Sequence, residues 1–251
     1  MLSNPPSDQG RPPQLVREGL WLFAPNRDSQ GGSAWWLEQP GPEGSRGLLI
    51  DAPAFTQANL QFLRAQGPGW IVLTGREGHG RTRRLQEALG WPVLVQEQEA
   101  YLLPGLQRLH TFAAEHVLTP GARLLWTPGP SPGACVLLAG EADPAGSLLF
   151  CGRLLSPLAP GLAGPLRTSR SFHWGRWLRS LEQLKAWLPA EAPTWLASGA
   201  GLGALRGDKL VPEGRRVIEA LDLPTLAAQP AGPFSNIQQE KGQNRVAMGD
   251  L

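Results

Sequence analysis

Acid–base, nucleophilic and metal-binding chemistry draws on His, Cys, Asp, Glu and activated Ser, and here those types are thinly spread. The chain has four His and two Cys among 251 residues. Ser171 and His173 sit together in SFHWGRW, but no Gly-x-Ser-x-Gly elbow accompanies them to present a nucleophile. His173 therefore reads either as a pocket-facing, ligand-binding residue or as a hydrogen-bonded residue at the start of a helix. His110 and His116 flank a strand-like Thr-Phe-Ala-Ala stretch and read as structural. SGAGLGALRG carries Gly199, Gly201 and Gly203, yet the spacing misses the dinucleotide fingerprint and no acidic residue follows on a second βαβ unit. It reads as a turn. The strands around Leu137 and Leu149 would form a hairpin around Asp143-Pro144, in a register that faces Cys135 with Cys151. Two small core-facing residues is the plain reading, a redox pair the sharper one.

The elements that must position these residues follow from periodicity and punctuation. Strands are expected at Gly19–Phe23, Ala34–Glu38 and Leu48–Asp51, separated by NRDSQGG and PGPEGSRG. A helix is expected over Thr56–Gln66, capped by Thr56 and ended by Gly67 and Pro68. Strand Trp70–Thr74, helix Thr82–Leu89 and strand Val93–Gln96 complete a βαβ pattern with a partly parallel sheet. Arg123–Trp126, Ala134–Ala139 and Ser147–Cys151 read as strands joined by turns. The helix Trp174–Leu188 places Trp177, Leu181, Leu184 and Leu188 on one face, and a last strand is expected at Thr194–Ala197. Trp35 and Trp36 point to opposite faces of their strand, so one is expected in the core and the other exposed at a contact surface.

Composition bounds the class. Hydrophobic residues make up 41% and ten are Trp, enough for a core that needs neither disulfide nor metal. With 31 Gly and 25 Pro, short strands and tight turns are favoured over a helical bundle. A net charge of +2 does not point to nucleic acid, and no run approaches the roughly 18 apolar residues of a membrane helix. Without a signal-like N-terminus the chain reads as soluble and cytoplasmic. Residues 1–14 read as a flexible arm, 15–228 as one domain and 229–251 as a polar tail.

Four segments in order resemble the metallo-β-lactamase superfamily. LLIDAP (Leu48–Pro53) is similar to the strand ending in the Asp before the first helix. IVLTGREGHGR (Ile71–Arg81) stands where that family has Thr-His-x-His-x-Asp-His. WTPGPSPGACVLL (Trp126–Leu138) resembles its Thr-Pro-Gly-His strand entry, and LLFCGRLL (Leu148–Leu155) its Leu-Phe-x-Gly-Asp strand end. WLASGAG (Trp195–Gly201) is a weaker match to the late Pro-Gly-His-Gly. PNRDSQGGSAWW, QEQEAYLLP and LRTSRSFHWGRWLRS further resemble a group found in photosynthetic organisms. The resemblance implies an α/β (α+β) fold, a four-layer αββα sandwich, with an edge cleft. In active members two metals there share a water that attacks an ester, thioester, amide or phosphodiester.

On that alignment most ligand positions are altered. The motif's two first His fall on Gly75 and Glu77, its Asp on His79 and its last His on Gly80. Pro130, Arg153 and Ala200 take the remaining three positions, Arg153 standing for the bridging Asp. Gly, Pro and Ala carry no donor, which leaves Glu77 and His79, fewer than the three or four side chains of a stable zinc site. The resemblance so altered implies a pseudoenzyme without a metal cofactor, with zinc or iron as the alternative. Arg153 is expected either to pair with Glu77 and close the cleft or, with Arg76 and His173, to bind an anion.

The leading expectation is a non-hydrolytic binding or scaffold protein taking a small anionic ligand or a protein partner. A surviving hydrolase of an ester, thioester or phosphodiester is the second, with Glu77 and His79 as base and acid and Arg153 stabilising an oxyanion. A protein-assembly factor is the third.

Overall fold

A computed structural model describes residue 6 and residues 8–140 and 146–228. The first sheet runs in chain order: β1 (Gln14–Arg17), β2 (Leu20–Phe23), β3 (Ala34–Glu38), β4 (Gly47–Ile50), β5 (Gly69–Val72), β6 (Val93–Gln96) and β7 (Leu109–Phe112). Its first four strands form an antiparallel meander, and β4 to β7 are parallel. Helices α1 (Gln57–Gln66) and α2 (Thr82–Leu89) carry the first two parallel crossovers. Thr56 caps α1 by accepting the Asn59 N–H at 3.3 Å, as the sequence led one to expect. Gly90 ends α2 in the left-handed conformation.

The chain then changes sheet. β8 (Glu115–Thr119), β9 (Ala122–Trp126), β10 (Cys135–Ala139) and β11 (Leu148–Gly152) form a second antiparallel meander. A small hairpin, β12 (Ser156–Ala159) with β13 (Leu162–Gly164), leads to α3 (Trp174–Trp187). β14 (Trp195–Ser198) returns parallel to β11, and β15 (Val211–Pro212) adds the edge. Two short helices follow, α4 (Gly214–Glu219) and α5 (Leu223–Ala228). β1, the hairpin and these last helices lie outside the expected elements; each is too short to show a period.

Three apolar layers hold the sandwich. The middle one joins the two sheets, with Trp35, Ile50, Val72, Leu137 and Phe150 among its residues. A second lies under α1 and α2, including Leu60, Leu63, Leu85 and Trp91. The third lies under α3, where Trp177, Leu181, Leu184 and Leu188 form the buried face that their spacing predicts. The layer order is therefore αββα.

Trp35 and Trp36 correct one expectation. Both are buried, at 1% and 0% exposure. Trp35 packs on Phe150 and donates Nε1–H to the Ser198 carbonyl at 3.0 Å. Trp36 packs on Trp91 in the helix-side layer, in room that exists because Gly47 and Gly69 lack a Cβ. A sheet covered on both sides leaves neither alternating face to solvent.

Cys135 and Cys151 correct another. The observed register sets Leu138 opposite Leu149, one residue away from the pairing that faces Cys135 with Cys151, and the expected turn at 143–144 lies outside the described residues. A one-residue slip reverses faces. Cys135 enters the middle layer, whereas Cys151 enters the layer under α3. Both are free and buried, and burial pushes the Cys151 thiol up to about 12 and Cys135 well above its ordinary value. Residues 8–10, expected within a loose arm, lie across the start of α1, where Asp8 and Gln9 carbonyls accept the N–H groups of Gln57 and Ala58. The 229–251 tail lies outside the described residues.

The sheet assignment makes a chemical prediction. An aromatic disulfide reagent should find no fast-reacting thiol in the native protein and two after unfolding. Recovery of an intramolecular disulfide after mild oxidation of the native protein would contradict the assigned faces.

Candidate functional site

The carboxyl ends of β4 and β5 and the loops after β9, β11 and β14 meet at one edge of the sandwich, and Asp51 lies at their centre. It follows β4 directly and adopts a left-handed backbone, φ +61°, which Asp tolerates better than most residues. Its Oδ1 accepts the Thr74 N–H at 2.8 Å and its Oδ2 the Thr74 hydroxyl at 2.7 Å. A Cβ on Gly78 would fall 2.1 Å from Oδ1, and one on Gly199 3.0 Å from Oδ2. Gly78 is therefore required by contact with this carboxylate, and at Gly199 a side chain would crowd it. Burial raises its pKa to about 6, against the lowering effect of the Thr74 bonds.

Gly75 to Gly80 form a tight 3₁₀ turn and the entry to α2. Glu77 lines the edge cleft, its Oε1 accepting Arg76 Nε–H at 3.3 Å. Arg76 also donates from Nη2 to the Arg170 carbonyl at 2.9 Å. His79 turns elsewhere: its Nε2 lies 3.5 Å from Oε2 of Glu99, a carboxylate with no exposure. Burial pushes Glu99 up, but His79, Ser131 and the Gly133 N–H outweigh it and hold the carboxyl below its ordinary value. Glu77 and His79 thus do not form the expected base–acid pair.

Arg153 follows β11 at the position where the resemblance put the bridging carboxylate. It does not pair with Glu77, which corrects the expectation of a closing ion pair. Its Nη2 donates to the carbonyls of Ser29 and Gln30, at 3.0 and 3.1 Å. Those carbonyls belong to the NRDSQGG loop, which is no slack turn. Ser29 Oγ–H bonds the Gly32 carbonyl, Ser33 Oγ–H bonds the Ala200 carbonyl, and Asp28 pairs with Arg81. Gly32 must stay bare, because its Cβ would meet the Gly199 carbonyl at 2.6 Å.

His173 is not in the cleft. It is exposed and caps α3, its Nδ1 accepting the Arg176 N–H at 3.2 Å. The residues that sequence reasoning missed are Gln30, Thr168 and Arg170 from loops and Ser156 from the first position of β12, together with Glu99 beneath. None of them sits in a periodic pattern that could have marked it. The cleft they line with Glu77, Pro130, Arg153 and Ala200 has a volume of about 190 Å³. Two larger hollows, about 400 and 460 Å³, open around Ser45 at the other end of the first sheet. One of these contains Arg108, which is already paired with Glu43.

Three solved structures share this architecture. A metallo-β-lactamase superfamily protein from the archaeon Sulfolobus tokodaii is 16% identical, with a TM-score of 0.57 over 89% of this chain and 94% of that one. The fold is the metallo-β-lactamase fold. A B3 metallo-β-lactamase described as having an active-site glutamic acid is 18% identical, with a TM-score of 0.57 over 90% and 95%. A metallo-β-lactamase from Staphylococcus aureus is 17% identical, with a TM-score of 0.56 over 92% of this chain and 72% of that one. No family model and no curated protein sequence matches the chain.

The residues present do not fit a two-metal centre of that fold. Gly75, Gly80, Pro130 and Ala200 have no donor atoms, and among the described residues no three His, Cys, Asp or Glu side chains gather as a metal-binding group. The space bounded by Asp51, Thr74, Glu77, Ser131 and Arg153 is about 10 Å³, room for about one water.

Asp51 has a measurable linkage. A native pKa near 6 against 3.8 means that the fold holds this proton more tightly than the unfolded chain does. Its stabilising contribution is complete below 3.8 and is lost as pH rises through about 6. Relative to wild type, Asp51→Asn should gain on the order of 3 kcal/mol between about pH 4 and pH 8, measured by urea unfolding. A difference between the two proteins that is flat with pH would refute the shift.

Proposed function

We propose that this metallo-β-lactamase-fold chain is a metal-independent protein that binds a small anion at the old edge cleft, and is not a hydrolase. The observation that carries the reading is Arg153. Two carbonyls of the NRDSQGG loop hold one of its nitrogens, and the rest of the guanidinium makes no hydrogen bond among the described residues. A permanent cation at this position opposes metal entry and favours an anion.

Its surroundings support the same sign. Arg153 and Arg170 line the cleft with one acidic side chain, Glu77, whose Oε1 Arg76 engages, while the Asp51 carboxylate, which also interacts with Arg153, lies behind the cleft and is bonded by Thr74. The hydrolytic alternative needs His79 beside Glu77, and His79 instead turns its Nε2 towards Glu99, 3.5 Å away. A scaffold or assembly role draws less support, since the site described is a pocket and not a broad face. No helix among the described residues is long and apolar enough to cross a membrane.

Calorimetric titration with inorganic phosphate and with acetate tests the reading. Arg153→Gln should weaken binding roughly 10- to 100-fold, the range for losing a charged hydrogen-bond partner. Elemental analysis of the purified protein should find no stoichiometric zinc or iron. About two tightly held metal equivalents, or turnover of thioester, lactone or phosphodiester substrates that Glu77→Gln abolishes, would overturn the proposal.

A further inference from the structure

The cleft's hydrogen-bonding inventory is lopsided, and the imbalance narrows the kind of anion it takes. Gln30 holds both guanidiniums, Arg153 through its main-chain carbonyl and Arg170 through its side-chain Oε1. One residue thereby sets two cations from different loops against the same cavity. Arg153 keeps Nε–H and Nη1–H, and Arg170 keeps Nε–H and Nη2–H, with no acceptor for them among the described residues.

Three hydroxyls add to the surplus. Thr168 Oγ1 accepts the Arg170 N–H at 3.2 Å, and Ser171 Oγ accepts the Thr168 N–H at 2.9 Å. Each oxygen is engaged as an acceptor, so each hydroxyl hydrogen is left to donate. Ser156 also lines the cleft. It is 7% exposed, and its hydroxyl makes no hydrogen bond among the described residues. Against these donors the lining side chains offer Glu77, already bonded to Arg76, and the amide oxygen of Gln30, already bonded to Arg170.

A planar carboxylate has two oxygens and pairs best with one guanidinium in a fork. Its acceptor sites lie in one plane, so it meets fewer donors from opposed walls than a tetrahedral anion does. A phosphate monoester presents three terminal oxygens in a tetrahedral array and carries nearly two negative charges near neutral pH. Pro130, Pro157 and Leu166 line the same cavity and give an ester's organic part an apolar wall. At about 190 Å³ the space is below the usual range for drug-sized ligands. It suits a phosphate with a few carbons.

We infer that the cleft is a recognition site for a small phosphate monoester, with Arg153, Arg170, Ser156, Thr168 and Ser171 as donors and Gln30 as the positioning residue that holds the two guanidiniums together. The inference rests on the anion-binding reading above and narrows it to one ligand class. No bond is made or broken in the ligand.

The test is calorimetric titration of the full chain near neutral pH with ethyl phosphate, inorganic phosphate and propionate. Ethyl phosphate should bind at least about 10-fold more tightly than propionate, as expected when additional charge-assisted hydrogen bonds form. Ser156→Ala should weaken ethyl phosphate about 3- to 10-fold, one neutral hydrogen bond, and leave propionate unchanged. Arg170→Gln, on an exposed loop and so benign for folding, should weaken ethyl phosphate about 10-fold or more. Arg83→Gln, on the outer face of α2, should change nothing.

Propionate binding as tightly as ethyl phosphate would overturn the phosphate assignment and leave the anion reading standing. No binding of any of the three probes would remove both. Phosphate binding indifferent to Ser156→Ala and Arg170→Gln would place the ion on surface arginines and overturn the assignment.

Discussion

The edge of the sandwich is organised around one buried carboxylate. Asp51 ties the end of β4 to the end of β5 through both Thr74 bonds. Thr74 in turn reaches the second sheet, its carbonyl accepting the Cys135 N–H at 2.9 Å. Gly152 is pressed against the Thr74 side chain, so that any Cβ there would meet Oγ1 at 2.6 Å. The strand that delivers Arg153 is thus registered against the strand that delivers the Glu77 turn. Desolvating a carboxylate is costly, and the compensation is geometric: four segments from both sheets are held at contact distance. Removing any bare glycine in this cluster would displace Asp51 or its neighbours, and the cleft walls with them.

Much of the fold could be read from the chain because its signals are local. Thr56 and Gly67 bracket α1, the Trp177–Leu188 stripe marks α3, and the apolar runs ending at Asp51, Thr74 and Cys151 mark three strands whose ends build the site. What could not be read is where local signals are absent or ambiguous. The register of β10 on β11 differs by one residue from the pairing expected, and that pairing put Cys151 on the wrong face. One of Trp35 and Trp36 was expected at the surface because alternation says only that faces differ, and it took two glycines on neighbouring strands to show the space that buries Trp36.

The site divides along the same line. Arg153 and Glu77 could be placed in the cleft because they lie next to strand ends, whose positions the pattern fixes. His79, only two residues beyond Glu77, was misassigned because a 3₁₀ turn swings it towards Glu99, a residue 20 positions later with no sequence mark of its partnership. Gln30 and Arg170 are 140 residues apart and meet only in the folded chain. Long-range pairings between irregular segments carry no period and no motif, so they were invisible until the loops were seen in place.

An arginine at the end of β11 has consequences that a neutral side chain there would not. A guanidinium is larger than a carboxylate and needs acceptors for five N–H groups. The NRDSQGG loop supplies two, the carbonyls of Ser29 and Gln30, and it does so at the expense of flexibility, since Gln30 adopts φ +53° and Gly32 has no room for a side chain. Had the cleft merely decayed, the remaining N–H groups would be expected to find Glu77, the carboxylate lining the same cavity. They do not, and Glu77 is engaged by Arg76. An arginine anchored on one side, with a neighbouring acid already occupied, is the arrangement expected when an external anion completes the set.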